Sequence, residues 1–137
     1  MREILFRGKR TDNGKWKCGD LLSPNEFNAI PHIVYIAYLN EYGDIGEIST
    51  PVIPETVGQF TGLVDKNGVR IFEGDIVERV SDGERAVISW LKYSACFGLS
   101  FDGWCCGFDD DDDNLPSDFE VIGNIFDSPE LLKGGTE

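Results

Sequence analysis

The sequence predicts a mainly β chain whose C-terminal half closes into a small barrel, and three observations lead there. Residues 59–77, QFTGLVDKNGVRIFEGDIV, read as strand, tight turn, strand, with Lys66-Asn67-Gly68 between two runs of apolar and β-branched residues. Asn-Gly is a strong hairpin signal, because a type I′ turn needs φ > 0 at both central positions. Sixteen glycines in 137 residues fit a β protein with frequent tight turns. The C-terminal half also divides into about five short strands, a number that suits a small barrel, in which closure removes exposed edges.

The first hairpin turns at Asn13-Gly14, and Ile4, Phe6, Trp16 and Cys18 sit at even positions that simple alternation places on one face. An internal echo follows: Phe6-x-Gly8, Asn13-Gly14 and Gly19-Asp20-Leu21-Leu22 match Phe60-x-Gly62, Asn67-Gly68 and Gly74-Asp75-Ile76-Val77. Such self-similarity marks a repeated hairpin unit or arises by chance. Residues 23–31 form a loop by composition, with two prolines and two asparagines. The run HIVYIAYL, residues 32–39, is expected as a strand buried on both faces. Residues 45–49 return beside it after a glycine turn. Pro51 and Pro54 make Val52-Ile53 an edge or a connection, since proline cannot donate to a ladder. A soft boundary near Thr56 separates a β-hairpin-rich N-terminal segment, 1–56, from the barrel and a short C-terminal helix, 57–137.

In that second part Gly74-Asp75 breaks the hairpin, and Gly68 and Gly74 are expected at positive φ or in tight backbone approach. Residues 75–80 and 85–91 flank the turn Ser81-Asp82-Gly83-Glu84, and residues 95–101 follow. Asp102-Gly103 turns the chain toward Trp104. Residues 119–125 are the closing strand, with Gly123 a bulge or kink. Asp127 or Ser128 caps the short helix, Pro129 occupies its first position, and Leu131 and Leu132 dock it. Residues 133–137 are expected to fray.

The composition narrows the function classes. The N-terminus holds no apolar run long enough for a signal peptide, and no stretch reaches membrane-spanning length, so a cytoplasmic protein is expected, without a membrane partner. The four cysteines, Cys18, Cys96, Cys105 and Cys106, are read as free thiols, because adjacent Cys105-Cys106 is a poor metal pattern. His32, the sole histidine, is read as a residue at a strand start. The net charge of −13 disfavours direct binding to nucleic acid, which needs a basic footprint. Arg7, Lys9, Arg10, Lys15 and Lys17 nonetheless cluster in the first hairpin, either as an ordinary charged strand face or as a phosphate site.

No nucleophile–base pattern or phosphate-binding glycine loop appears, so no catalytic, cofactor-binding or metal residue is assigned. Asp20 and Asp75, in the recurrent Gly-Asp pairs, are read as bonding nearby backbone N–H groups. Asp109, Asp111, Asp113 and Glu120 fall at calcium-loop positions one, three, five and twelve. Asn114 replaces the required glycine and Pro116 follows, so the run from Asp109 to Asp113 is read as a solvated loop without metal. Trp90, Phe97, Phe101, Trp104 and Phe108 form an aromatic series, mostly barrel core, with Trp104 partly exposed as a protein-contact candidate.

Three stretches together carry a family resemblance: FRGKRTDNGKWKCGDLL, TVGQFTGLVDKNGVRIFEGDIV and EVIGNIFDSPELL. In this order they resemble the YopX family of phage and prophage proteins, over nearly the whole chain. The resemblance implies a largely β fold with an SH3-like barrel in the C-terminal part and a bacterial host. It implies no catalytic or ligand residues, and the aspartate run is no part of the family pattern. The expectation is a non-enzymatic accessory protein that binds another protein or itself, assembling as a homo-oligomer through residues before Thr56. An acidic nucleic-acid mimic, or a carboxylate- and metal-dependent enzyme, are the alternatives.

Overall fold

A computed structural model describes residues 4–26, 29–39, 41–92, 95–101, 104–108 and 115–132, without the side chains of 36–39, 45, 104 and 105. The Asp109 to Asp113 run, the Asp102-Gly103 turn, the Trp104 side chain and the 133–137 tail therefore lie outside the described residues. The fold is mainly β, with two antiparallel sheets. The chain divides into two compact units, Met1–Gln59 and Phe60–Glu137.

In the first unit, β1 (Phe6–Lys9), β2 (Trp16–Leu22), β3 (His32–Leu39) and β4 (Ile45–Pro51) form a meander in which each strand pairs with the next. The first residues of β5 (Gly58–Val64) pair on the other side of β1, Gln59 with Phe6 and Gly58 with Arg7. The turn between β1 and β2 is held by local bonds. The Arg10 N–H donates to the Lys15 carbonyl at 2.9 Å, and the Gly14 N–H donates to the Arg10 carbonyl at 3.1 Å. Asn13 Oδ1 accepts the Lys15 N–H at 2.9 Å. Gly14 sits at φ 70°, where a side chain would be strained.

This turn pairs even positions of β1 with odd positions of β2: Phe6 with Gly19, Arg7 with Cys18, Lys9 with Trp16. Phe6 therefore does not share a face with Trp16 and Cys18, and the simple alternation is corrected by the turn. On the core side, Gly8 lies against Val52, whose Cβ would stand 2.9 Å from an added methyl. Ile33, Val52, Thr50 and Thr56 are buried. Val52-Ile53 is a connection that returns to the end of β1. Arg10 bridges Val52, and the Ile53 N–H donates to the Lys9 carbonyl at 2.8 Å. Thr56 Oγ1 accepts the Lys9 N–H at 2.9 Å and donates to the Ile53 carbonyl at 2.6 Å. Among its described side chains β3 is not buried on both faces: Ile33 is buried, but His32 and Val34 on the other face are half-buried, as is Tyr35, whose ring lies under Lys17.

In the second unit β5 continues into a hairpin with β6 (Arg70–Phe72). A five-stranded sheet follows, built from β7 (Asp75–Arg79), β8 (Arg85–Leu91), β9 (Cys96–Phe101), β10 (Trp104–Gly107) and β11 (Phe119–Asn124). Its order is β10-β9-β8-β7-β11. Among the described residues no barrel closes. β11 runs beside β7 and β10 pairs with β9, which leaves the two as opposite edges of the sheet. The core is Ile71, Val77, Ala86, Ile88, Leu99, Phe101 and Phe119, with Phe108 edge-on to Phe119 at 6.3 Å. The register of β11 shifts between Val121 and Gly123, the expected bulge. The C-terminal helix is a single 3-10 turn, Pro129–Leu132, started by the Leu131 N–H bonding the Ser128 carbonyl at 3.0 Å. Leu131 reaches over Gly123, where a Cβ would meet it at 2.9 Å.

The Asn-Gly turn of the second hairpin is not type I′. Gly68 has φ 79°, but Asn67 is not at positive φ. The Gly68 N–H donates to the Asp65 carbonyl at 3.0 Å, and the Asp65 N–H donates to the Val69 carbonyl at 2.8 Å. This is a type I turn followed by a left-handed glycine, favoured when Asp can stand at the first position. Gly68→Val is predicted to cost more than about 1 kcal/mol, because space is open there but the φ is wrong for a β-branched residue. An unchanged melting temperature would remove that argument.

The internal echo does not survive at this level. Gly74 has φ 93° and joins Ile88 and Ile125 through backbone bonds of 2.8 and 3.0 Å, whereas Gly19 lies in the middle of β2. The structural counterpart of the Arg10–Lys15 turn is the turn from Arg79 to Glu84. There the Gly83 N–H bonds the Arg79 carbonyl, the Arg79 N–H bonds the Glu84 carbonyl, both at 2.7 Å, and Asp82 takes the place of Asn13.

Candidate functional site

The first hairpin brings cations and aromatics together. Alternation along β1 and β2 puts Arg7, Lys9, Trp16 and Cys18 on one face and Gly8 and Lys17 on the other. The Arg7 guanidinium carbon stands 4.7 Å from the centroid of the Trp16 ring, and Lys9 Nζ stands 5.8 Å from it. On the opposite face Lys17 Nζ lies 4.1 Å from the Tyr35 ring. The negative π-face attracts each cation without neutralising it. At the turn, Arg10 Nε and Nη2 grip Asp12 at 3.0 and 2.7 Å. That bond holds the Asp12 carboxyl below its ordinary pKa and the Arg10 guanidinium above its own. Cys18, Asp20 and Leu22 are exposed along the same side of β2.

The second feature of this unit is an edge. β4 is seven residues long, pairs only with β3 among the described residues, and exposes Glu47, Ile48 and Ser49. Ile48 is 43% exposed.

The second unit has a shallow cleft of about 420 Å³ lined by Arg85, Val87, Ser100, Phe101 and Leu132. Its polar groups have partners. Arg85 donates from Nε to Glu78 at 3.0 Å and from Nη1 to the Leu131 carbonyl at 2.7 Å, while the Ser89 and Ser100 hydroxyls meet at 2.6 Å. The cleft thus holds the C-terminal turn on the sheet.

A profile of the YopX protein family matches residues 5–133. The chain belongs to the YopX family. Among solved structures, the crystal structure of protein EF1440 from Enterococcus faecalis is similar, with a TM-score of 0.61 and 22% identity. The match covers 96% of this chain and 99% of that one, and at this identity it shows the fold alone. No curated protein matches.

In this YopX chain the residues singled out from sequence scatter. Cys18 is exposed, and Cys96 and Cys106 are half-buried, all three outside any disulfide; the Cys105 side chain lies outside the described residues. His32 Nδ1 bonds the Ile30 carbonyl at 2.9 Å at the start of β3. Asp75 is buried and accepts the Phe72 N–H at 2.7 Å, a structural role, whereas Asp20 is exposed in mid-strand. Glu120 lies in β11, its sheet partner Glu78. Among the described residues no group of three His, Cys, Asp or Glu side chains is placed to hold a metal ion. Of the aromatic series, Phe101 is core, but Trp90 is 50% exposed and packs edge-on to Phe97 at 5.1 Å, because it lies near the end of β8 beyond the buried cluster.

Two residues of the YopX chain escaped sequence reading. Asp65 is buried, and its carboxylate accepts backbone N–H groups from Asn67, Val69 and Val121 at 2.8 to 2.9 Å. Arg79 packs over the Phe101 and Phe119 rings at 5.3 and 5.6 Å and bonds Asp82 and Glu84 at 3.0 and 2.8 Å. For Asp65 a signal existed: aspartate three residues before a turn glycine is the favoured first residue of a type I turn. For Arg79 the signal was the pattern Arg-x-x-Asn/Asp-Gly shared with the first hairpin.

Proposed function

We propose that this YopX-family protein is a phage- or prophage-derived accessory protein of the bacterial cytoplasm that acts without catalysis, by binding another protein or a second copy of itself. The observation that carries this reading is the outer edge of β4. An edge of seven residues presents unpaired backbone donors and acceptors, a template for another strand unless proline, charge or a cover blocks it. Glu47 is the one charge on β4, and Pro51 stands only at its end. Pairing with a second copy across a two-fold axis would use the N-terminal unit on both sides. The second unit is read in the same proposal as an SH3-like barrel left open between β10 and β11, a scaffold that leaves its own edges for contact.

Sedimentation at physiological salt tests the reading. The wild-type chain is expected to associate at micromolar concentration, and Ile48→Lys, at an exposed edge position, is expected to yield monomer. A wild-type monomer, together with an Ile48→Lys variant that still binds the same partners, sinks the β4 reading.

The net charge of −13 favours a second reading, an acidic mimic of nucleic acid that occupies the basic groove of a host DNA-binding protein. Competition with duplex DNA for such a protein, falling steeply as salt rises, is the result that distinguishes it.

A further inference from the structure

We propose that the occupant of the β4 edge is a second copy of this chain, paired antiparallel about a two-fold axis at Ile48. The proposal rests on the reading of β4 as a contact edge and adds to it a partner and a register.

The direction of the backbone groups comes first. In an antiparallel pair, alternate residues exchange hydrogen bonds with the neighbouring strand, and those between them aim away from it. The Val52 N–H donates to the Pro31 carbonyl at 3.0 Å, on the β3 side. Thr50 stands opposite Ile33 and Ile48 opposite Tyr35, so the same parity turns Thr50 and Ile48 toward β3. Glu47, Ser49 and Pro51 therefore aim outward. The Pro51 carbonyl agrees, since it accepts the Thr11 N–H at 3.1 Å.

The ends of the free stretch are set next. Pro51 has no N–H to offer, and its carbonyl is taken. At the other end the register with β3 shifts between Ile36 and Tyr38, and such a shift bends and twists the pair. Between these limits Glu47 and Ser49 hold the outward donors and acceptors, with Ile48 at their midpoint. Among the described residues no backbone group pairs with them on that side.

A strand that meets its own copy must match itself. An axis at Glu47 sets two carboxylates directly opposite each other, which destabilises the pair. An axis at Ser49 sets Glu47 against Pro51, which cannot donate. An axis at Ile48 sets Glu47 opposite Ser49 of the second copy, and the reverse, and each of these pairs exchanges both its N–H···O bonds. Ile48 then meets Ile48 of the second copy in the closer, non-hydrogen-bonded type of pair. Its side chain is 43% exposed in the single chain, and this contact covers it. On the other face each exposed Glu47 carboxylate stands beside an exposed Ser49 hydroxyl that donates to it. The complementarity of this short segment with itself favours a second copy over an unrelated strand.

The net charge of −13 on each copy opposes the contact. Salt screens charges beyond about 8 Å, and Glu47 is the one charge on β4. Association should therefore tighten as salt rises.

Cysteine scanning of the full chain under mild oxidation reads the register. Glu47→Cys, Ile48→Cys and Ser49→Cys are compared with the wild type, whose own cysteines set the background, and linked peptides are placed by mass. Opposite Cβ atoms stand about 4.5–5.5 Å apart and diagonal ones about 7–8 Å, so Ile48→Cys is expected to bridge about tenfold faster than either neighbour. A mixture of Glu47→Cys with Ser49→Cys is expected to give a mixed dimer, which keeps the register readable should Ile48→Cys weaken association. Sedimentation of the wild type at low and high salt runs in parallel. Suppose the wild type associates and Ile48→Lys abolishes it. Bridging that is then fastest at Glu47→Cys or Ser49→Cys, or association that weakens as salt rises, overturns the Ile48 axis and leaves the edge reading in place. A wild type that stays monomeric overturns the edge reading and this pairing with it.

Discussion

Asp65→Asn is expected to destabilise the protein by about 2–4 kcal/mol, one of the largest losses available to a change of one side-chain group. Both oxygens of Asp65 are in use: Oδ1 accepts from Asn67 and Val69, and Oδ2 accepts from Val121. An asparagine offers one oxygen and one amide. Whichever way it turns, an N–H2 faces a backbone N–H at a buried position, and that donor loses its partner. The Val121 bond spans 56 residues and ties the turn after β5 to β11, so the loss falls on the joint between hairpin and sheet. Chemical denaturation at neutral pH measures it, and a midpoint within error of wild type would refute the latch.

The same carboxylate predicts a pH dependence. Burial works to raise its pKa, but the N–H groups of Val121, Val69 and Asn67, with the charge of Lys66, outweigh it and leave the pKa below its ordinary value. A group whose folded pKa is depressed contributes in full above its unfolded value, about 3.9 for Asp. Its contribution fades as pH falls through the folded value. The wild-type advantage over Asp65→Asn should therefore shrink in strong acid and be constant from about pH 5 upward. An equal gap at pH 7 and at pH 2 would show that the carboxylate charge is not what holds the turn.

Gly19→Ala is expected to cost about 1–3 kcal/mol or more, as overpacking does when the obstacle is backbone. A Cβ at Gly19 would collide with the Val34 carbonyl oxygen and stand 3.0 Å from Ile33 Cγ2. A side chain in the way can rotate, but this carbonyl belongs to β3, whose Val34 pairs with the neighbouring Asp20. To relieve the clash, β2 and β3 must separate and uncover Ile33, which is fully buried. Gly14→Ala is the control: it has open space and φ 70°, and should cost about 1 kcal/mol from backbone strain alone. Thermal melts of the two variants separate crowding from conformation. If Gly14→Ala proves the worse, the close approach of β2 and β3 is not what selects glycine at position 19.

The features legible in the residues alone were those whose cause lies within a few positions along the chain. Gly68 and Gly74 lie at positive φ because a turn there demands it, and Asp75 bonds the Phe72 N–H three residues away. Gly123 marks a shift of strand register, and HIVYIAYL forms a strand. The three quoted motifs also sufficed for kinship, since the YopX profile spans all of them. What only the tertiary structure decided depends on partners that sequence spacing does not specify. The residue count of the Arg10–Lys15 turn sets whether Trp16 shares a face with Phe6 or with Lys9, and one residue more or less would reverse every side chain of β2. That parity is what gathers Arg7, Lys9 and Trp16 into one face. Asp65 stands out only in the tertiary structure, because its second oxygen finds Val121 across the pairing of β11 with β7. Gly19 looked like a chain break like Gly74, yet its cause is the carbonyl of a neighbouring strand. The barrel expected from strand number stays open because number does not determine closure; pairing at the two edges does, and β10 and β11 pair with β9 and β7.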